Sequence, residues 1–183
     1  MPIPLGILAV AGAGGAGGVP AYTLIQSFVL SSDQSSITFS SIPQTYKHLQ
    51  IRYTAKNSGS SADFAMRING ITSSSYAAHW LFADGFNLTS GSNTGANRML
   101  MPQGMTSSFT ANSFGAGIVD IVDYSNASKL KTIRTTFGHN DSPRLYFRSF
   151  LETSSTSAVT SVTFVPDSNS IGTGSRFSLY GLS

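Results

Sequence analysis

A chain of 183 residues with a net charge of +3, 10% charged residues and no cysteine has room for one domain and an appendage. It excludes zinc–thiolate sites, disulfide scaffolds and cysteine nucleophiles. The scattered arginines (Arg52, Arg67, Arg98, Arg134, Arg176) form no stripe able to neutralise several phosphates, so nucleic acid is not an expected partner. So few charges leave Ser, Thr, Asn and Gly to cover the surface. That suits polar β-sheet better than helices, whose exposed faces usually carry Glu, Lys and Arg; Glu152 is the one glutamate.

Residues 1–21 read MPIPLGILAVAGAGGAGGVPA, without a charge. The apolar stretch Ile3 to Val10 falls well short of the roughly 20 residues that span a bilayer, and no basic segment precedes it as in a secretory signal. The expectation is an anchoring arm docked on protein through Ile3, Leu5, Ile7, Leu8 and Val10. Its glycines at 12, 14, 15, 17 and 18 permit close backbone approach. The spacing Gly12-Ala13-Gly14-Gly15-Ala16-Gly17 matches a dinucleotide-binding fingerprint formally. However, Val19-Pro20 and the β-type sequence beyond provide no helix to open there.

From residue 22 to 183 the chain reads as a β-sandwich domain. Strands are predicted at Tyr22–Leu30, Ser36–Ser40, His48–Ala55, Asp63–Ile68, Ala116–Tyr124, Leu130–Gly138, Leu145–Thr153, Val159–Val165 and Arg176–Gly181. In Leu49-Gln50-Ile51-Arg52-Tyr53-Thr54 apolar and polar residues alternate, as in an antiparallel strand with one buried face. Phe64-Ala65-Met66-Arg67-Ile68 and Ile133-Arg134-Thr135-Thr136-Phe137 behave similarly. Asn69-Gly70 is a tight-turn signal. The fold expected is all-β: an antiparallel, jelly-roll-like sandwich.

Ala77 to Thr110 is the least regular stretch and is expected to be a long loop. Trp80 and Phe82 would cap one end of the core. Alternatively, with Tyr76, they would form a partner-binding or sugar-stacking surface.

Catalytic patterns are sparse. His48, His79 and His139 lie in no ligand spacing, and no metal site or cofactor is expected. Asp120 and Asp123 should point to opposite faces of a strand. Ser128-Lys129-Leu130-Lys131 matches SxxK without its partner motifs. The expectation is a protein that is not an enzyme.

The opening MPIPLGILAVAGAG, the run Ile37-Thr38-Phe39-Ser40-Ser41-Ile42-Pro43-Gln44-Thr45-Tyr46-Lys47-His48-Leu49-Gln50-Ile51-Arg52 and the closing Phe177-Ser178-Leu179-Tyr180-Gly181 together resemble small virion structural proteins of tailed bacteriophages. The resemblance implies a capsid decoration (cement) protein held by its arm on the major capsid protein, or a tail fibre or baseplate component that contacts a host-surface glycan. It further implies a homo-oligomer, a trimer by preference. It carries no named active site. A carbohydrate-binding module is the alternative from another class.

Overall fold

The computed structural model describes residues 21–59, 63–101, 110–139 and 143–183. The anchoring arm, with Ile3, Leu5, Ile7, Leu8 and Val10, lies outside them. The described residues form twelve strands: β1 (Tyr22–Val29), β2 (Ile37–Phe39), β3 (His48–Ala55), β4 (Phe64–Ile68), β5 (Tyr76–Ala83), β6 (Leu88–Ala96), β7 (Met99–Met101), β8 (Gly115–Ile121), β9 (Lys131–His139), β10 (Arg144–Glu152), β11 (Val162–Pro166) and β12 (Arg176–Leu182). They make an eight-stranded sheet ordered β1-β12-β3-β8-β9-β10-β5-β6 and a four-stranded sheet ordered β2-β11-β4-β7. The pairs are antiparallel throughout. The architecture is thus an antiparallel β-sandwich with unequal sheets.

The nine predicted strands are present with ends shifted by a few residues. The expected loop is a correction: Tyr76–Ala83, Leu88–Ala96 and Met99–Met101 are β5, β6 and β7. Its physical cause is pairing. β5 adds to β10 along its whole length, Leu145↔Ala83 to Glu152↔Tyr76, and β6 adds to β5 at the sheet edge. Asn69-Gly70 does form a turn, with both residues at positive φ (49° and 66°). It ends β4 and passes the chain from the small sheet to the large one. The Asn69 side chain secures it, accepting from Thr160 N (2.8 Å) and donating to Ala158 O (2.9 Å).

An aromatic cluster fills the centre between the sheets. Tyr53 (β3) stacks on Phe177 (β12) at 5.5 Å and on Phe137 (β9) at 6.0 Å, and Phe164 of the small sheet packs against both Tyr53 and Phe177. β8 runs between β3 and β9, and its inward positions Gly115 and Gly117 leave room for the rings. A Cβ at Gly117 would stand 2.4 Å from Tyr53 Cζ, and one at Gly115 would stand 2.3 Å from Phe137 Cζ. The Tyr53 hydroxyl is buried without a hydrogen-bond partner among the described residues, and burial pushes its pKa far up.

A second buried element is polar. Lys131 and Glu152 are cross-strand partners on β9 and β10, and both are buried. The Lys131 ammonium donates to the carbonyls of Asn126 (2.5 Å), Lys129 (2.6 Å) and Thr156 (2.8 Å), so the loops at either side close over it. The Glu152 carboxylate accepts from Ser154 N (2.7 Å), Ser154 Oγ (2.5 Å) and Ser155 N (2.9 Å). Burial pushes Glu152 up, but these hydrogen bonds outweigh it and hold the group below its ordinary 4.5.

Two outcomes follow. An unpartnered buried hydroxyl costs about 1–3 kcal/mol, so Tyr53→Phe should raise stability by about 1 kcal/mol in urea unfolding, whereas Phe177→Ala should lower it by about 3–5 kcal/mol. A depressed carboxylate stabilises the fold above its unfolded-state value, and that contribution is lost as pH falls through the folded value. The stability gap between the natural protein and Glu152→Gln should therefore be full at pH 7. It should shrink below pH 4.5, as urea midpoints across that range will show.

Candidate functional site

The outer face of the eight-stranded sheet, turned away from the core, is built from the residues that alternation leaves outside. Strand register lines them up in rows. One row crosses from β6 to β1 as Ser90, Leu81, Phe147, Thr136, Ile118, Arg52, Ser178 and Ser27. The row beside it, from β5 to β12, is His79, Ser149, Arg134, Asp120, Gln50 and Tyr180. On the other side lie Leu145, Gly138, Ala116, Thr54 and Arg176. Apolar side chains on this face stay substantially exposed: Phe147 by 47%, Leu145 by 44%, Leu81 by 42% and Ile118 by 41%. A set of large apolar groups side by side on one face marks a binding surface more than scattered single residues would.

Two adjoining hollows sit on this face. The first, about 440 Å³, lies between Arg52, Ile118, Leu145, Arg176 and Tyr180, over a floor that includes Ala116 and Gly138. It exists because those two outward positions carry almost no side chain. The second, about 540 Å³, is lined by His79, Leu81, Asp120, Arg134 and Phe147. Thr136 belongs to both, so they form one trough. Six strands, β12 to β5, contribute to it, which at 4.7–4.9 Å per strand gives a length of about 24 Å.

Arg52 is the best-positioned group in the trough. Its guanidinium carbon lies 4.8 Å from the Tyr22 ring centroid and 5.1 Å from that of Tyr180, and the two tyrosines meet edge to face. Arg52 Nε donates to Gln50 Oε1 at 2.7 Å, and Gln50 Nε2 donates to Asp120 Oδ1 at 2.9 Å. This relay spans β3 and β8. It holds the guanidinium through Nε, and the Arg52 side chain lines the first hollow.

The residues expected from sequence to form an aromatic face lie elsewhere. Tyr76, Trp80 and Phe82 alternate on the side of β5 that packs against the core. Tyr76 is fully buried, with its hydroxyl donating to Ile71 O, so it is no sugar-stacking surface. Trp80 lies against Gly91 of β6, where a Cβ would come within 2.5 Å of the indole, and Arg148 stacks on it at 5.3 Å. Arg148 in turn donates to Leu100 O across the sandwich at 2.7 Å. Phe82 stacks on Tyr146 at 4.5 Å. These aromatics pack against or within the core.

Among the remaining candidates, His48 accepts from Asp123 N at 3.0 Å, and Asp123 pairs with Lys129 at 2.9 Å. Asp123 stands at positive φ (49°) in the turn after β8, away from Asp120. His139 is buried at the end of β9, and His79 is exposed on the outer face. Among the described residues no three His, Cys, Asp or Glu side chains group to hold a metal, and no helix is long and apolar enough to cross a membrane. Sequence reasoning missed Phe147, Ile118 and Arg52 as a unit. The available signal was that Ile118, Leu145 and Phe147 are large apolar residues on the outward phase of their strands.

No protein-family model matches the sequence, and no curated protein matches it. Among solved structures the chain is similar to the galectin LEC-6 of Caenorhabditis elegans, with a TM-score of 0.38 and 11% identity. The similarity covers 86% of this chain and 95% of that one.

Proposed function

We propose that this protein is a non-enzymatic binding module whose outer sheet face takes up carbohydrate. One observation carries the reading: a row of hydrogen-bonding side chains, His79 to Gln50, runs directly beside a row bearing Leu81, Phe147 and Ile118. A sugar ring has the same division, with C–H groups on its faces and hydroxyls around its rim. Binding sites for small polar molecules commonly pair an apolar lining with a few placed polar groups. The arrangement suits holding better than catalysis. Among the described residues the trough's one carboxylate is Asp120, which already accepts from Gln50, with no second acid beside it for acid–base work.

The setting proposed is the surface of a tailed-phage particle, on the strength of the sequence resemblance. There the module would serve attachment to host glycans, and residues 1–21 would join it to the particle. The capsid-decoration reading shares that arm but needs no sugar.

A glycan array probed with the full chain tests the function. Binding is expected, weakened at least tenfold by Phe147→Ala or by Ala116→Leu, which fills the first hollow, with circular dichroism unchanged. Trp80→Ala should cost stability and leave binding in place. Loss of binding on Trp80→Ala alone, or no binding to any glycan, would contradict the reading. Removing residues 1–18 should abolish incorporation into particles without affecting the array result.

A further inference from the structure

We infer that the first hollow selects acidic sugars, a carboxylate of the saccharide seating on Arg52 with Arg176 across the hollow; this rests on the sugar-binding reading above and names its ligand class. The argument begins with charge. Among the described residues the side chains lining this hollow include Arg52 and Arg176 and no Asp or Glu. Among the described residues of the outer-face rows the arginines Arg52, Arg134 and Arg176 stand against a single carboxylate, Asp120. Among the described residues the ion pairs join His48 or Lys129 to Asp123 and Arg98 to Asp167, so neither Arg52 nor Arg176 has an anionic partner.

Geometry adds to charge. On the paired strands β3 and β12, Arg52 faces Ser178 and Thr54 faces Arg176. The two arginines are therefore diagonal neighbours at about 7–8 Å between backbones; the Arg52 guanidinium leans toward Gln50, Tyr180 and Tyr22, so it is the seat for a carboxylate, and Arg176 stands on the opposite side of the hollow. Both line the same open hollow and carry positive charge, which raises its attraction for an anion.

Arg52 is also prepared for such a ligand. Its Nε is used by Gln50 and its plane is held between Tyr22 and Tyr180. Among the described residues the two terminal nitrogens have no ion-pair partner and can address a carboxylate as a fork, the geometry that makes arginine–carboxylate pairs strong and directional. Little side-chain freedom is left to lose on binding, which favours affinity. Asp120, the group able to compete for Arg52, is held by the amide of Gln50. Ile118 and Leu145 line the rest of the hollow, where the ring of the same sugar residue would rest.

The test titrates the full chain with alginate, a polyuronate, and with the same polymer after reduction of its carboxyl groups. Dextran serves as a neutral control and dextran sulfate as a polyanion control. Alginate is expected to bind at least tenfold more tightly than its reduced form and than either control. Arg52→Gln and Arg176→Gln should remove that preference with circular dichroism at the assay temperature unchanged, and Arg52→Lys should not restore it. Lys129→Gln, which removes the same charge outside the hollow, should have no effect. Equal binding of the reduced polymer would overturn acid selectivity and leave the sugar reading intact. Equal binding of dextran sulfate would overturn it in favour of charge alone. Binding of no saccharide would overturn both.

Discussion

The ring of Tyr53, packed between Phe137 and Phe177 and met from the other sheet by Phe164, is the contact on which the rest of this sandwich depends. It joins β3, β9, β12 and β11 at one point, and those strands carry both the centre of the large sheet and the middle of the small one. Rings of this size dominate core energetics. They can lie flat here only because β8, threaded between β3 and β9, presents Gly115 and Gly117 inward. The same strand turned outward shows Ala116 and Ile118. The aromatic centre and the hollow above it are thus two sides of one short, small-residue strand.

The outer face of the same sheet departs from the usual pattern. A sheet with one face in the core usually turns polar side chains outward. This one instead leaves Leu81, Ile118, Leu145 and Phe147 at the surface, beside Thr, Ser and Arg. Keeping apolar groups in water forgoes roughly 25 cal/mol for each Å² left exposed. The polar residues among them are organised as well: Asp120, Gln50 and Arg52 form a chain of hydrogen bonds across two strands, ending in a guanidinium clasped by two tyrosines.

Much of the fold could be read from the sequence, because strands such as β3, β4 and β9 alternate between apolar and polar residues. The strands that could not be read fail for identifiable reasons. β5 (Tyr76–Ala83) is apolar on both phases, with Tyr76, Ala78, Trp80 and Phe82 on the core side and Ala77, Leu81 and Ala83 on the outer side. β6 (Leu88–Ala96) is an edge strand of Ser, Thr, Asn and Gly with little to bury. β7 is only three residues long. The site was harder still. Trp80 attracts attention as the single tryptophan, yet it packs against the core beside Gly91 and Arg148. Arg52 looks like an ordinary solvent-facing charge until the register places it between Tyr22 on β1 and Tyr180 on β12. Those partners lie 30 and 128 residues away in sequence, a distance that no local pattern bridges.

The central claim is that ligand lies across the outer face of the large sheet. Nuclear magnetic resonance mapping of the isotopically labelled full chain during titration with oligosaccharide tests it most directly. The account predicts shifts at Phe147, Ile118, Thr136 and the Arg52 side chain, with Trp80 and Phe82 undisturbed. Shifts centred on Trp80 and Phe82, or on the small sheet around Phe164, would contradict it.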